Sequence, residues 1–171
     1  MDEGKIDISK SLTEDSQAIN TLSRKLTFVA RKHYNEEDIV NIRRALQLLQ
    51  ETCEKGNNSE ILRKIHIQSL SIALVVIEEI NLGTASVIAS LFFKFEQNGT
   101  IPLQQIQKEF GDYQLNLMTG LRKISSIPLH QITSQANNFR ELIISLANDV
   151  RVILISLAEL TEKVKTTHSL G

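Results

Sequence analysis

Apolar residues recur at helical spacing along most of the chain. The first dozen residues are polar and aperiodic, which predicts a frayed terminus over residues 1–12. Ile19, Leu22, Leu26 and Val29 or Ala30 then form a first helical stripe, with Thr13 or Asp15 placed to cap it. Ile39, Ile42, Ala45, Leu46, Leu49 and Cys53 form a second, which runs into Lys55-Gly56-Asn57-Asn58, a glycine and asparagine stop. A third helix is predicted from Ser59 to Ile80, ending near Asn81-Leu82-Gly83, and a fourth from Thr84 to Glu96, ending at Asn98-Gly99. Both are apolar nearly all round, as helices at the centre of a bundle are.

Pro102 suits the first turn of a short helix running to Phe110, because the N–H it lacks is unpaired there anyway, and Gly111 ends that helix. Leu115, Met118 or Thr119, Leu121 and Ile124 continue helically until Ile127-Pro128 breaks the run. From Ser134 to Thr166 the apolar positions predict two helices meeting near Asn148-Asp149, where either residue can cap the second. There is no repeat and no heptad run long enough for a coiled coil. Phe92, Phe93 and Phe95 are expected in the core, and the basic pairs Arg43-Arg44 and Arg122-Lys123 on solvated helix faces.

Composition narrows the picture further. The 171 residues include only 7 Gly and 2 Pro, too few breakers for a many-stranded sandwich or barrel. The expected fold is therefore all-α, a compact multi-helix bundle with one domain over residues 13–168. With 19 Lys and Arg against 20 Asp and Glu, the chain lacks the basic field that nucleic-acid binding requires. Its most apolar stretch, Ile65 to Phe95, is interrupted by Glu78, Glu79, Asn81 and Gly83, so no membrane span is expected. The lone Cys53 and the absence of an apolar leader point to a reduced, cytoplasmic setting.

Candidate chemistry is sparse. His33, His66, His130 and His168 fall in four separate elements, and none has a second His or Cys at i+3 or i+4 to share a metal. There is no glycine-rich phosphate cradle and no nucleophile elbow.

Several consecutive segments resemble the N-terminal hydrolase domain of the RelA/SpoT family, which makes and degrades the alarmone (p)ppGpp. Gln135-Ala136-Asn137-Asn138-Phe139-Arg140-Glu141-Leu142, followed by Asp149-Val150-Arg151-Val152-Ile153-Leu154-Ile155-Ser156-Leu157-Ala158, is similar to the family's QAENFRKLL and DIRVILIKLAD. Pro102-Leu103-Gln104-Gln105-Ile106, Glu109-Phe110-Gly111 and Gly120-Leu121-Arg122-Lys123-Ile124-Ser125 resemble its TLEDI, EFG and GVTKLS, and order and spacing agree from Tyr34 to Thr166. The resemblance implies an HD-type bundle. In active members a His of an HP pair, an adjacent His-Asp and a later Asp in LADRLHNMR hold Mn²⁺, which polarises the pyrophosphate and activates water.

At those positions this chain departs from the pattern. The first His falls on Gln68; the His-Asp pair falls on Phe93 and Lys94 counted from the downstream segment, or one residue earlier counted from the upstream side; the final Asp becomes Glu159. The two catalytic acids that follow the His-Asp fall on Gln97 and Asn98 in the first register and on Glu96 and Gln97 in the second. The nucleotide-contacting RKSGEP turn becomes Asn58-Ser59-Glu60-Ile61-Leu62, without its Arg, and the family's Arg and Asn in the last run become Leu160 and Lys163. Asn58 and Lys163 are therefore residual nucleotide-pocket positions. A Lys at 94 places a cation where the metal binds, and one carboxylate without imidazoles is a poor Mn²⁺ site.

The expectation is a catalytically inactive hydrolase-like domain, without catalytic residues, metal or other cofactor. Its expected role is structural or regulatory in (p)ppGpp metabolism, next to a downstream synthetase domain of the same parent chain and with at most weak guanine nucleotide binding. Two other readings stay open: a divergent metal-dependent hydrolase that joins Glu159 to Glu96, Glu78 or His66, and an unrelated helical interaction module.

Overall fold

The apolar stripes read from the sequence close into helices. In the computed structural model, which describes residues 3–57, 59–126 and 149–169, there are seven helices and no strand among those residues. They are α1 (Glu3–His33), α2 (Glu36–Lys55), α3 (Glu60–Glu78), α4 (Thr84–Gln97), α5 (Leu103–Phe110), α6 (Asp112–Ser125) and α7 (Val150–Ser169). The all-α class is as expected. The Ile127-Pro128 break, the helix predicted before Asn148 and the segment 135–142 lie outside the described residues.

Local chemistry sets the ends. Asn35 caps α2 by accepting from Asp38 N at 2.9 Å, and Glu36, Glu37 and Asp38 in the first turn complement the helix dipole. The predicted stop after α2 is present: Gly56 is the C-cap, and Asn57 takes φ 57, a left-handed conformation asparagine tolerates better than most. Ser59 opens α3 by accepting from Leu62 N at 3.2 Å. Pro102 sits one residue earlier than expected, as the extended N-cap of α5 (ψ 153) and not in its first turn, with its carbonyl accepting from Gln105 N at 3.1 Å. Gly111, at φ 89 and ψ 179, ends α5 and starts α6; side-chain-bearing residues rarely adopt that conformation. Asp149 caps α7 through Arg151 N at 3.0 Å, as the sequence suggested.

The core sits where the all-round apolar helices predicted it. α3 packs against α1, α4 and α7, and α4 also packs against α2 and α6. Leu70, Val76, Ile77, Leu91, Phe92 and Phe95 are fully buried, and each such side chain contributes about 1.5–3 kcal/mol by leaving water. Phe93 is buried as well, so the three phenylalanines belong to the core. No helix among the described residues is long and apolar enough to cross a membrane.

Helix α1 begins at Glu3, earlier than the apolar stripe that starts at Ile19, and Ile8 is 70% exposed. Thr13 and Asp15 are not caps: the Thr13 hydroxyl donates to Ser9 O at 3.0 Å, and the Asp15 carboxylate accepts from Arg63 Nε at 3.3 Å. That pairing, together with packing of α1 along α3, supports the helix through partners remote in sequence.

Candidate functional site

Three helices converge on one pocket. α3 brings Gln68, α4 brings Lys94, and α7 brings Glu159, Glu162, Lys163 and Thr166 around about 320 Å³. Lys94 Nζ is ion-paired to Glu159 Oε1, with side chains only 18% and 17% exposed. Lys163, one turn further along α7, reaches the same Oε1 at 3.4 Å. Helix periodicity explains the i,i+4 pair, since those residues share a face. Two ammonium groups thus converge on one carboxylate oxygen.

Four of the positions singled out from the sequence, Gln68, Lys94, Glu159 and Lys163, therefore share a site. The others lie apart from it. Phe93 is in the core and does not line the pocket. Glu96 points its buried carboxylate to Arg122 of α6, so Arg122 serves a buried partner besides facing solvent. Gln97 and Asn98 are exposed at the end of α4, where the Asn98 side chain accepts from the Thr100 hydroxyl. Asn58 lies outside the described residues.

His66 occupies a different face of α3, as its offset of two residues from Gln68 requires. It lines a cleft of about 440 Å³ between α1, α2 and α3, together with Cys53, Arg43, Arg63 and Asn20. His66 Nδ1 is 3.7 Å from Cys53 Sγ, and the ring meets Phe95 edge-on at 6.0 Å. Cys53 Sγ also lies 3.9 Å from Leu62 O. A thiol has one proton; donated to Leu62 O, it leaves Sγ to accept from Nδ1–H and Nε2 as a buried acceptor without a partner. Burial pushes the imidazole down to about 4 and, offset by Arg63, pushes the thiol up to about 11. Both groups are neutral near pH 7, so this pair offers neither a charged nucleophile nor a proton shuttle.

Sequence reasoning missed Asp15 with Arg63 and the Cys53–His66 contact, which join helices with no shared motif. Glu162 and Thr166, one turn and two turns beyond Glu159, were available from helical spacing once Glu159 was placed on the pocket.

Residues 45–170 match the HD domain family. The chain belongs to that family. No curated protein and no solved structure matches it. The HD domain's match includes α3, α4 and α7, the three helices that build the pocket.

The donor set of this HD domain does not fit the divalent ion implied by the family resemblance. Of the four expected ligand positions, Gln68 and Glu159 carry oxygen donors, Phe93 carries none, and Lys94 carries a cation already on Glu159. The other candidates for a rebuilt centre are dispersed: Glu96 is with Arg122, the exposed Glu78 is 3.6 Å from Lys25, and His66 faces the other cleft. Among the described residues no three His, Cys, Asp or Glu side chains come together to hold a metal.

Proposed function

We propose that this HD domain is a non-hydrolysing member of the RelA/SpoT type, with a structural or regulatory role in cytoplasmic (p)ppGpp metabolism. Its task in that reading is to restrain or position a (p)ppGpp synthetase domain that follows it in a longer parent chain, as such a domain follows in the resembled family. The observation that carries the reading is the Lys94–Glu159 ion pair on the pocket, where hydrolysis would need a metal and an activated water. Among the described residues, the segments that resemble the family lie in helices and at their ends, whereas the departures gather at ligand positions. That division keeps a scaffold and removes a reaction.

The test is direct. The purified chain is mixed with ppGpp and Mn²⁺ and pyrophosphate release is followed beside an active family hydrolase. No release above the metal-only blank is expected. Turnover that disappears in Glu159→Ala would establish a rebuilt metal centre and overturn the reading.

A further inference from the structure

We infer that the outer face of α7 pairs with the same face of a second copy of this chain, antiparallel and with a two-fold axis at Leu157. The pattern of exposure leads there. Val150, Leu157, Leu160 and Val164 are each about half to two-thirds exposed, and Ile153 among them is half-buried. At 3.6 residues per turn these five fall within an arc of about 80°, on the side of α7 opposite the buried Val152, Ile155 and Ala158. A surface helix normally carries one apolar stripe, towards the core. α7 carries a second, and an ordered apolar strip facing water marks a contact site.

The spacing states what fits the strip. Its five positions are 3, 4, 3 and 4 residues apart, the interval at which two helices interlock. The run is too short to make a coiled coil alone, but α7 is already held against α3, α4 and α6, so pairing does not have to order it. Leu157 is its midpoint. Turned end for end about that residue, the strip meets itself: Val150 faces Val164 of the second copy, Leu154 faces Leu160, Ile153 faces Thr161, and Leu157 faces its own counterpart. Charge selects this direction. Parallel copies would set Lys163 and Lys165 beside their own counterparts and align the helix dipoles, whereas antiparallel copies bring Asp149 at one end of the strip to Lys163 at the other, on the same flank. The strip is about 21 Å long and smaller than a standard interface, so the dimer is expected to be weak, with Kd of about 1–100 µM.

The experiment is sedimentation equilibrium of the full chain from about 5 to about 500 µM, a range that brackets this Kd. The mean mass of the wild type is expected to rise from one chain towards two. Leu157→Glu sets two carboxylates against each other on the axis and is expected to stay monomeric throughout, with Tm within about 4 °C of wild type because the side chain is half exposed. Cysteines read the register. Leu157→Cys is expected to cross-link to itself when oxidised with diamide. Val150→Cys and Val164→Cys are each expected not to, yet to cross-link when mixed, since those two positions face each other across the axis at disulfide range. The wild type, whose Cys53 is buried, is the blank.

Should Leu157→Glu not fold, Val164→Glu carries the same comparison of mass. A wild type that stays monomeric at about 500 µM, a Leu157→Glu chain that dimerises as the wild type does, or Val150→Cys joining itself as readily as it joins Val164→Cys would each overturn the inference. A monomer in which Leu157→Glu lowers Tm by more than about 8 °C would overturn it in favour of cover by residues of the same chain. Turnover of ppGpp does not enter these measurements, so failure here leaves the proposed function standing.

Discussion

His66 should make the domain acid-sensitive by an amount that can be worked out in advance. Its imidazole is 3% exposed, has Nε2 without a partner, and is held down to about 4 from an ordinary 6.5 by burial. As pH falls, the unfolded chain takes up the proton first. The contribution to stability is therefore complete above the unfolded value and is lost progressively as pH falls towards the folded one. At about 1.4 kcal/mol per pKa unit, the full loss is about 3 kcal/mol, of which about 2 kcal/mol falls between about pH 7.5 and 5. The assay is urea unfolding by circular dichroism at those two pH values, for wild type and His66→Leu. Carboxylates titrate alike in both chains, so the difference between the two acid-induced losses isolates the imidazole. The variant is expected to lose about 2 kcal/mol less on acidification. If it loses as much as wild type, the imidazole is either charged in the fold or open to water, and the description of its surroundings fails.

Two glycines allow further tests by urea unfolding. Gly111→Ala forces a side chain into φ 89 at the junction of α5 and α6 and is expected to cost about 1–3 kcal/mol; a neutral result would mean the junction relaxes freely. At Gly120 an added Cβ would stand 2.8 Å from Val152 Cγ2, between α6 and α7. Gly120→Ala should destabilise the wild type yet stabilise Val152→Ala by about 1 kcal/mol, where alanine's helix preference acts without the clash. The same sign in both backgrounds would mean the two helices do not meet there.

Helices with a one-sided or all-round apolar pattern were legible from sequence, because burying such a face requires a bundle. Glycine and asparagine stops were legible for the same local reason. What was missed depends on partners far along the chain. Asp15 reads locally as a cap, but Arg63, 48 positions away, accounts for its place inside α1. Arg122 reads as a solvated cation, and only the fold brings Glu96 to it. The pocket shows the same split. Gln68, Lys94, Glu159 and Lys163 were gathered by counting along a family pattern, whereas Glu96, Gln97 and Asn98, assigned by the same count, turn elsewhere because the end of α4 rotates successive residues away from α7.

The first helix also changes where the protein can be divided. The family match begins at residue 45, beyond all of α1 and the first half of α2. Yet α1 contributes the wholly buried Leu26 and Ala30, α2 contributes Ile39 and Ile42 before that point, and the Tyr34 hydroxyl between them donates to Leu82 O at 2.5 Å. A chain trimmed to the matched span would strip one wall from α3, take Asp15 from Arg63 and open the cleft beside His66 to water. Ancestry draws the module's edge inside α2. Burial draws it further back, because α1 walls one side of α3, so the stretch recognised by family likeness is shorter than the stretch that packs together.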